Sequence, residues 1–233
     1  MTTHATRKDS ISVILCTKNE AGGIQELVQS VKPYANEVIV IDGHSTDNTA
    51  ELAKKAGAKV WQDNGKGKGD AYAVGIQKAT GDVIVLMDAD GSHDPRDIPV
   101  LAEPIVNNES DLVIGSRHKG GSDEWAGDLD TYLRAIGSGF LSVIINYRWK
   151  TALTDVLNGF RALSRASALK VPLYANDFDI EQHMIVQYRK HGHRVMEVRS
   201  HEFCRRWGES KLPTFRKAYL FFWRLFLDLV TGK

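Results

Sequence analysis

Residues 83–95 read Val-Ile-Val-Leu-Met-Asp-Ala-Asp-Gly-Ser-His-Asp-Pro. The five apolar residues from Val83 to Met87 are rich in branched side chains and stop at Asp88. A run without period-two alternation is how a strand buried on both faces reads. Two carboxylates one residue apart, Asp88 and Asp90, close that strand, and Gly91 opens a polar turn. In open α/β sheets, ligands bind outside the carboxyl ends of the strands. Carboxylates there suit a hard divalent cation, which prefers oxygen ligands and often bridges protein to substrate phosphates. An isolated Asp-x-Asp is more often a surface turn. The buried strand before it and the flanking loops favour a metal-diphosphate site at Asp88 and Asp90.

Outward from this strand the chain alternates. Strands are predicted over 11–16, 37–41 and 58–61, with helices over 24–31, 49–56 and 71–79 between and after them. This order predicts an α/β three-layer sandwich with a mostly parallel, doubly wound sheet. Each strand is followed by polar residues: Thr17-Lys-Asn-Glu20, Asp42-Gly-His-Ser-Thr-Asp47 and Asn64-Gly-Lys-Gly-Lys-Gly69. Glu20 and Asp42 can accept hydrogen bonds from a base or ribose. Lys66 and Lys68 can face diphosphate oxygens, together with backbone N–H groups of the glycine-rich loop. The spacing of a P-loop is absent, as is a Gly-x-Gly-x-x-Gly after the first strand, so a dinucleotide cofactor is not expected.

The totals agree with one large domain or a domain with appendages. At 233 residues the chain is long enough for a real core. A formal net charge of +1 argues against nucleic acid as the main partner. Cys16 and Cys204 make no metal spacing, and a reducing, cytoplasmic setting is the simple reading. Residues 1–10 are expected to be a disordered polar tail without the apolar stretch of a signal peptide. No uncharged run approaches the ~18 residues of a spanning helix, so the expectation is a soluble or peripheral protein.

The loops taken together resemble the family 2 glycosyltransferases of the nucleotide-diphospho-sugar transferase fold. Within that family they are most similar to the dolichyl- or polyprenyl-phosphate mannosyltransferases. Three later segments extend the resemblance: Gly115-Ser-Arg117 after a strand over 111–115, Asp155-x-x-x-Gly-Phe-Arg161, and Arg205-x-x-Gly-x-Ser-Lys-Leu212. It implies a single domain over 11–212, with a nucleotide-sugar half (11–115) and an acceptor half (116–212). It also implies a nucleoside diphosphate sugar of GDP-mannose or UDP-glucose type, and Mg²⁺ or Mn²⁺. Carried over by position, Thr17, Asn19, Glu20, Asp42, Ala89, Lys66 and Lys68 would contact the donor, and Arg205, Ser210 and Lys211 would close over its diphosphate. Asp155 would lie near the sugar, and Arg117, Arg134 and Ser138 would bind the phosphate of a lipid acceptor. Three positions depart from the pattern. Gly43 follows Asp42 where many relatives have a second aspartate. Cys16 stands where proline is usual, and we read it as core. Where relatives of this subgroup carry a metal-holding glutamine, this chain has Ser92 and His93.

Residues 116–131 show little periodicity and predict a mobile loop. A helix follows over 132–147, with Arg134 and Ser138 on one face. At 213–233 an amphipathic helix carries Lys217, Arg224 and Asp228 on one stripe among aliphatic and aromatic residues. It has two readings: packing on the domain or a second subunit, or lying on a membrane face. The function expected is inverting transfer of mannose or glucose to a polyprenyl or dolichyl phosphate. The alternative is a hydroxyl acceptor with Asp155 or Glu181 as general base. A nucleotidyltransferase would need a different first loop, and a nucleotide-sugar binder without turnover would keep the metal site alone.

Overall fold

The computed structural model describes residues 9–126, 129–208 and 214–231. In chain order the elements are β1 (Ile11–Thr17), α1 (Ile24–Val31), β2 (Glu37–Asp42), α2 (Thr49–Lys55), β3 (Lys59–Gln62), α3 (Lys68–Lys78), β4 (Val83–Asp88) and α4 (Ile98–Val106). There follow β5 (Leu112–Ser116), α5 (Arg117–Gly120), α6 (Leu129–Trp149), β6 (Arg161–Ser164), α7 (Arg165–Ala168), α8 (Ile180–Lys190), β7 (Val195–Arg199) and α9 (Thr214–Val230). The tail expected over 1–10 lies outside the described residues up to residue 8. Ser10 is already tied to Asp82 Oδ2 by its amide (3.1 Å) and its hydroxyl (2.9 Å).

The strands form one sheet in the order β3-β2-β1-β4-β6-β5-β7. All neighbours are parallel except those of β6, which runs antiparallel to β4 and β5. The run that opens the sequence reading becomes β4, and its lack of alternation has a direct cause. Ile84 and Leu86 enter a core under α3, α6 and α8, whereas Val83, Val85 and Met87 enter a second core under α1, α2 and α4. Both faces of the strand are dry, so both sets are apolar. The doubly wound three-layer sandwich is therefore present.

Two features go beyond the sequence reading. β6 comes from the second half of the chain yet inserts between two strands of the first, so both halves share one sheet. Because it runs backwards, its N-terminal end meets the carboxyl ends of its neighbours: Arg161 pairs with Leu86 and with Ile114. The loop 155–160 is thereby delivered to the edge where ligands bind. The stretch predicted as a mobile loop also contains regular turns, α5 and a 3-10 turn over Asp123–Ala126. Ser116 Oγ caps α5 by accepting from the Lys119 amide, and Ser122 and Arg117 both reach Glu202.

The last helix, α9, packs on α8 and α6 with a mixed face. Leu225 is buried there, and Arg224 Nε donates to Asp179 Oδ2 at 2.7 Å. Asp228 meets His183 Nδ1 at 2.9 Å, and Gln182 Nε2 donates to the Phe221 carbonyl at 2.6 Å. Tyr219, Phe222, Trp223 and Phe226 point outward. Lys217, the third member of the expected polar stripe, has its side chain outside the described part. Among the described residues no helix is long and apolar enough to cross a membrane.

Candidate active site

Strand register builds the site. Thr17 pairs with Asp42, Cys16 with Asp88, and Asp42 with Gln62, so four parallel strands end almost level. Beyond their ends opens a cleft of about 720 Å³. Thr17, Glu20, Lys66, Lys68, Asp88, Ala89, Asp90 and Arg205 all line it, which brings most of the expected donor-side residues together.

Asp88, the last residue of β4, is the more open carboxylate. Lys68 Nζ lies 2.7 Å from its Oδ1 and 2.8 Å from Glu181 Oε1. Three elements thus converge on one ammonium: the start of α3, the end of β4 and the first turn of α8. Gly159 leaves the room for this, since a Cβ there would stand 2.8 Å from Asp88 Oδ2 and 2.9 Å from Lys68 Nζ. Burial alone would raise the Asp88 carboxyl, but Lys68 and then His93 outweigh it and hold it well below the usual range. For Glu181 burial wins, and its carboxyl is raised despite Lys68. The His93 ring stacks on Phe160 at 4.8 Å, with Nε2 3.9 Å from Asp88 Oδ2.

Asp90 is held from two sides. Its Oδ1 accepts from the Ser92 amide (3.0 Å) and hydroxyl (2.7 Å), and its Oδ2 faces Arg205 Nη2 at 2.9 Å. The loop 200–208 is strapped down here, because the Asp90 carbonyl accepts the amides of Arg206 (2.9 Å) and Trp207 (3.2 Å). Gly91, at φ +78°, permits the turn, and the Trp207 ring covers it where a Cβ would stand. Ser92, expected as a third metal ligand, here donates its hydroxyl to Asp90.

A hard divalent cation fits this donor set. Asp88 and Asp90 present carboxylate oxygens to the cleft. Such ions accept one or two carboxylates and complete their shell with water and substrate phosphate oxygens. Among the described residues, no three His, Cys, Asp or Glu side chains group to hold a metal unaided.

Asp42, expected on the nucleoside side, is almost fully buried and does not itself line the cleft. Its Oδ2 accepts from the Ser45 amide at 3.2 Å, whereas among the described residues Oδ1 has no hydrogen-bond partner; nor has the buried Thr17 hydroxyl. Asn19 braces the first two loops: its amide donates to Ser45 Oγ (2.9 Å) and its Oδ1 accepts from the Thr46 amide (2.8 Å). The glycine-rich segment runs into α3, which begins at Lys68, and the Gly69 and Asp70 amides in its first turn donate to the Asn176 carbonyl. Cys16, read from the sequence as core, is only partly buried and lines the cleft beside Thr17; burial pushes its thiol up.

The residues expected on the acceptor side stand differently. Arg117 Nε and Nη2 grip Asp155 Oδ2 and Oδ1 at 2.6 and 3.0 Å, and Nη1 reaches Glu202 Oε1 at 3.3 Å. Asp155 is fully buried and also accepts from the amides of Arg117, Leu157 and Asn158. Burial would raise its carboxyl, but Arg117 brings it below the usual range. This pair does not line the cleft. Ser138 is buried in α6, its hydroxyl without a hydrogen-bond partner among the described residues. Arg134 belongs to α6, but its side chain lies outside the described part, as do Ser210 and Lys211 altogether.

The sequence reading gave no role to His44, Asp63, Asp177 or Phe178, all of which line the cleft. Their position after strands β2 and β3, or beside Glu181, was the available signal. Tyr72 gave no such signal. Its buried, unpartnered hydroxyl belongs to a helical residue that reads as core.

Comparison with known proteins agrees with this architecture. Over 222 residues the chain is 30% identical to glycosyltransferase AglJ of Haloferax volcanii, covering 94% of this chain and 71% of that one. Over 213 residues it is 33% identical to the dolichol-phosphate mannosyltransferase of Pyrococcus furiosus, covering 87% of this chain and 59% of that one. The chain spans from half to four fifths of the length of the curated relatives it matches. The fold is that of glucosyl-3-phosphoglycerate synthase from Mycobacterium tuberculosis, solved in complex with Mn²⁺, uridine diphosphate and phosphoglyceric acid. That likeness has a TM-score of 0.77 at 21% identity, over 97% of this chain and 80% of that one. Residues 12–171 match the model of glycosyl transferase family 2, and the chain belongs to that family.

Proposed function

We propose that this protein is an inverting, metal-dependent hexosyltransferase. It moves mannose or glucose from a nucleoside diphosphate sugar, of GDP-mannose or UDP-glucose type, to a polyprenyl or dolichyl phosphate. The observation that carries this is one cleft at the ends of parallel strands that gathers Asp88 and Asp90 with Lys66, Lys68 and Arg205. Two carboxylates suit a divalent cation and three cations suit a diphosphate. The Mn²⁺ and uridine diphosphate in the Mycobacterium tuberculosis structure support the donor half, and the Pyrococcus furiosus mannosyltransferase supports the acceptor.

On the nucleoside side, the buried, unpartnered oxygen of Asp42 accepts an N–H or O–H of base or ribose, beside Thr17, Asn19 and Glu20. Lys66, Lys68, Arg205 and Lys211 bear on the diphosphate, and Ala89 lets it approach the backbone. Asp88 and Asp90 hold Mg²⁺ or Mn²⁺, which when bound neutralises the charge developing on the leaving group. An acceptor phosphate is ionised at neutral pH and needs no strong base. Arg134 and Ser138 on α6 aim it at the anomeric carbon for a single inverting displacement; Arg117, expected to join them, is instead held by Asp155 and Glu202 away from the cleft.

A lipid acceptor also accounts for the outer surface. α6 exposes Ile136, Phe140, Val143 and Tyr147, and α9 exposes Tyr219, Phe222, Trp223 and Phe226. Phe140 and Phe222 join the two faces, their ring centroids 6.1 Å apart. Exposed Arg148 and Lys150 stand at one end, with Lys150 Nζ 4.9 Å from the Tyr147 ring. Aromatic residues with a basic rim suit the headgroup zone of a membrane. For a hydroxyl acceptor the base would be Glu181, because Asp155 is fully committed to Arg117 and three amides.

The test follows release of nucleoside diphosphate from candidate donors, with Mg²⁺ or Mn²⁺ and with or without a short polyprenyl phosphate. Release that requires the lipid, and falls about a hundredfold or more in Asp90→Ala, is expected. Slow release indifferent to lipid would overturn the acceptor and leave the donor half standing.

A further inference from the structure

We propose that Lys68 is a resident stand-in for the divalent cation: it neutralises Asp88 while no ion is bound, and its ammonium transfers to Glu181 when one is. This rests on Asp88 being a metal carboxylate, as proposed above, and adds a role for Lys68 and Glu181 that neither residue type suggests alone.

The geometry supplies two seats for one charge. Lys68 Nζ touches both carboxylates at once, 2.7 Å from Asp88 and 2.8 Å from Glu181. The seats differ in access: the Asp88 side chain is 28% exposed and that of Glu181 only 4%. An ion arriving through the cleft therefore meets Asp88, and Glu181 lies behind the lysine. At a given distance a divalent ion repels an ammonium twice as strongly as a unit charge would. Ammonium and ion cannot share Asp88 without that repulsion, so one must give way. The lysine can do so without moving far, since it already contacts its second seat.

Both ends of the seat are fixed. Arg161, fully buried, donates from Nη1 to the Glu181 carbonyl at 2.5 Å and from Nε and Nη2 to the carbonyls of Asn158 and Val156. The backbone next to Lys68 is pinned by the Gly69 and Asp70 amides on Asn176. The rings of Tyr72 and Phe178 lie 5.5 and 5.9 Å from the ammonium and favour a cation there whichever carboxylate it prefers.

The experiment titrates the full chain, without nucleotide, with Mn²⁺ alone, reading free Mn²⁺ by electron paramagnetic resonance. Binding should vanish in Asp88→Ala. Lys68→Met should bind Mn²⁺ about tenfold more tightly, because the competing cation is gone. Glu181→Asp keeps the charge but withdraws the second seat by one methylene, so Mn²⁺ should bind about fivefold more weakly. A mere effect of net charge would leave Glu181→Asp unchanged, and that result would overturn the proposal. So would unchanged or weaker binding in Lys68→Met that keeps the parent's circular dichroism. If Lys68→Met does not fold, Glu181→Asp decides alone. These affinities are read without any sugar donor. A parent with this pattern but no glycosyl transfer would refute the function and leave the exchange of seats intact.

Discussion

α1 and α9 are both amphipathic, and they dock differently: α1 with its apolar side alone, α9 with a face that mixes Phe221 and Leu225 with Arg224 and Asp228. α1 turns Ile24, Leu27, Val28 and Val31 into the core and leaves its polar side to water. α9 buries Asp228 to 3% exposure, while Trp223 remains 56% and Phe226 51% exposed. A helical period thus tells that a helix has two faces and leaves open which one turns inward. What decides it is the partner. α1 meets the branched side chains of the sheet. α9 meets Asp179, just before α8, and Gln182 and His183 on it, which give its buried polar groups the hydrogen bonds that burial requires. The aromatic side left outside is then a contiguous exposed patch, a feature that marks an interaction surface more often than an accident.

The comparison breaks first at α1. Leu27→Ala removes a buried side chain that packs under the sheet and should cost about 2–5 kcal/mol in urea unfolding. A change under 1 kcal/mol would mean that α1 is not seated as described. The matching substitution on α9 is polar. Asp228→Ala leaves His183 Nδ1 buried without its carboxylate, a loss of about 1–3 kcal/mol. If the chain instead became more stable, the polar stripe would not be what fastens α9 to the domain.

The same contrast explains what was legible in the sequence. The cleft at the strand ends was legible because its signals are local: each apolar run is followed within a few residues by the polar group it delivers, as β4 delivers Asp88. β6 escaped because Arg161–Ser164 is short and its neighbours in the sheet are distant in sequence. α8 escaped for another reason: Glu181, Gln182, His183 and Gln187 are buried along with its apolar residues, so it carries no stripe to detect. Lys68 could be read as a phosphate-facing cation, but its sharing between Asp88 and Glu181 depends on three elements meeting in space. Arg117 and Asp155 were each legible as charged residues of motifs. Their mutual grip was not, and that grip is what removes Asp155 from service as a base.

The smallest effect on stability should come from the outward face of α9, and it is the most informative. Trp223→Ser with Phe226→Ser touches no buried pair, so unfolding should shift by less than about 0.5 kcal/mol per site. If the aromatic side is a lipid-facing surface, the same protein should stop floating with liposomes of anionic lipid while keeping its circular dichroism. Flotation equal to the parent would sink that role for the surface. A stability loss like that of Leu27→Ala would go further. It would mean that Trp223 and Phe226 are covered in solution, so that α9 obeys the same rule as α1 and the contrast between them disappears.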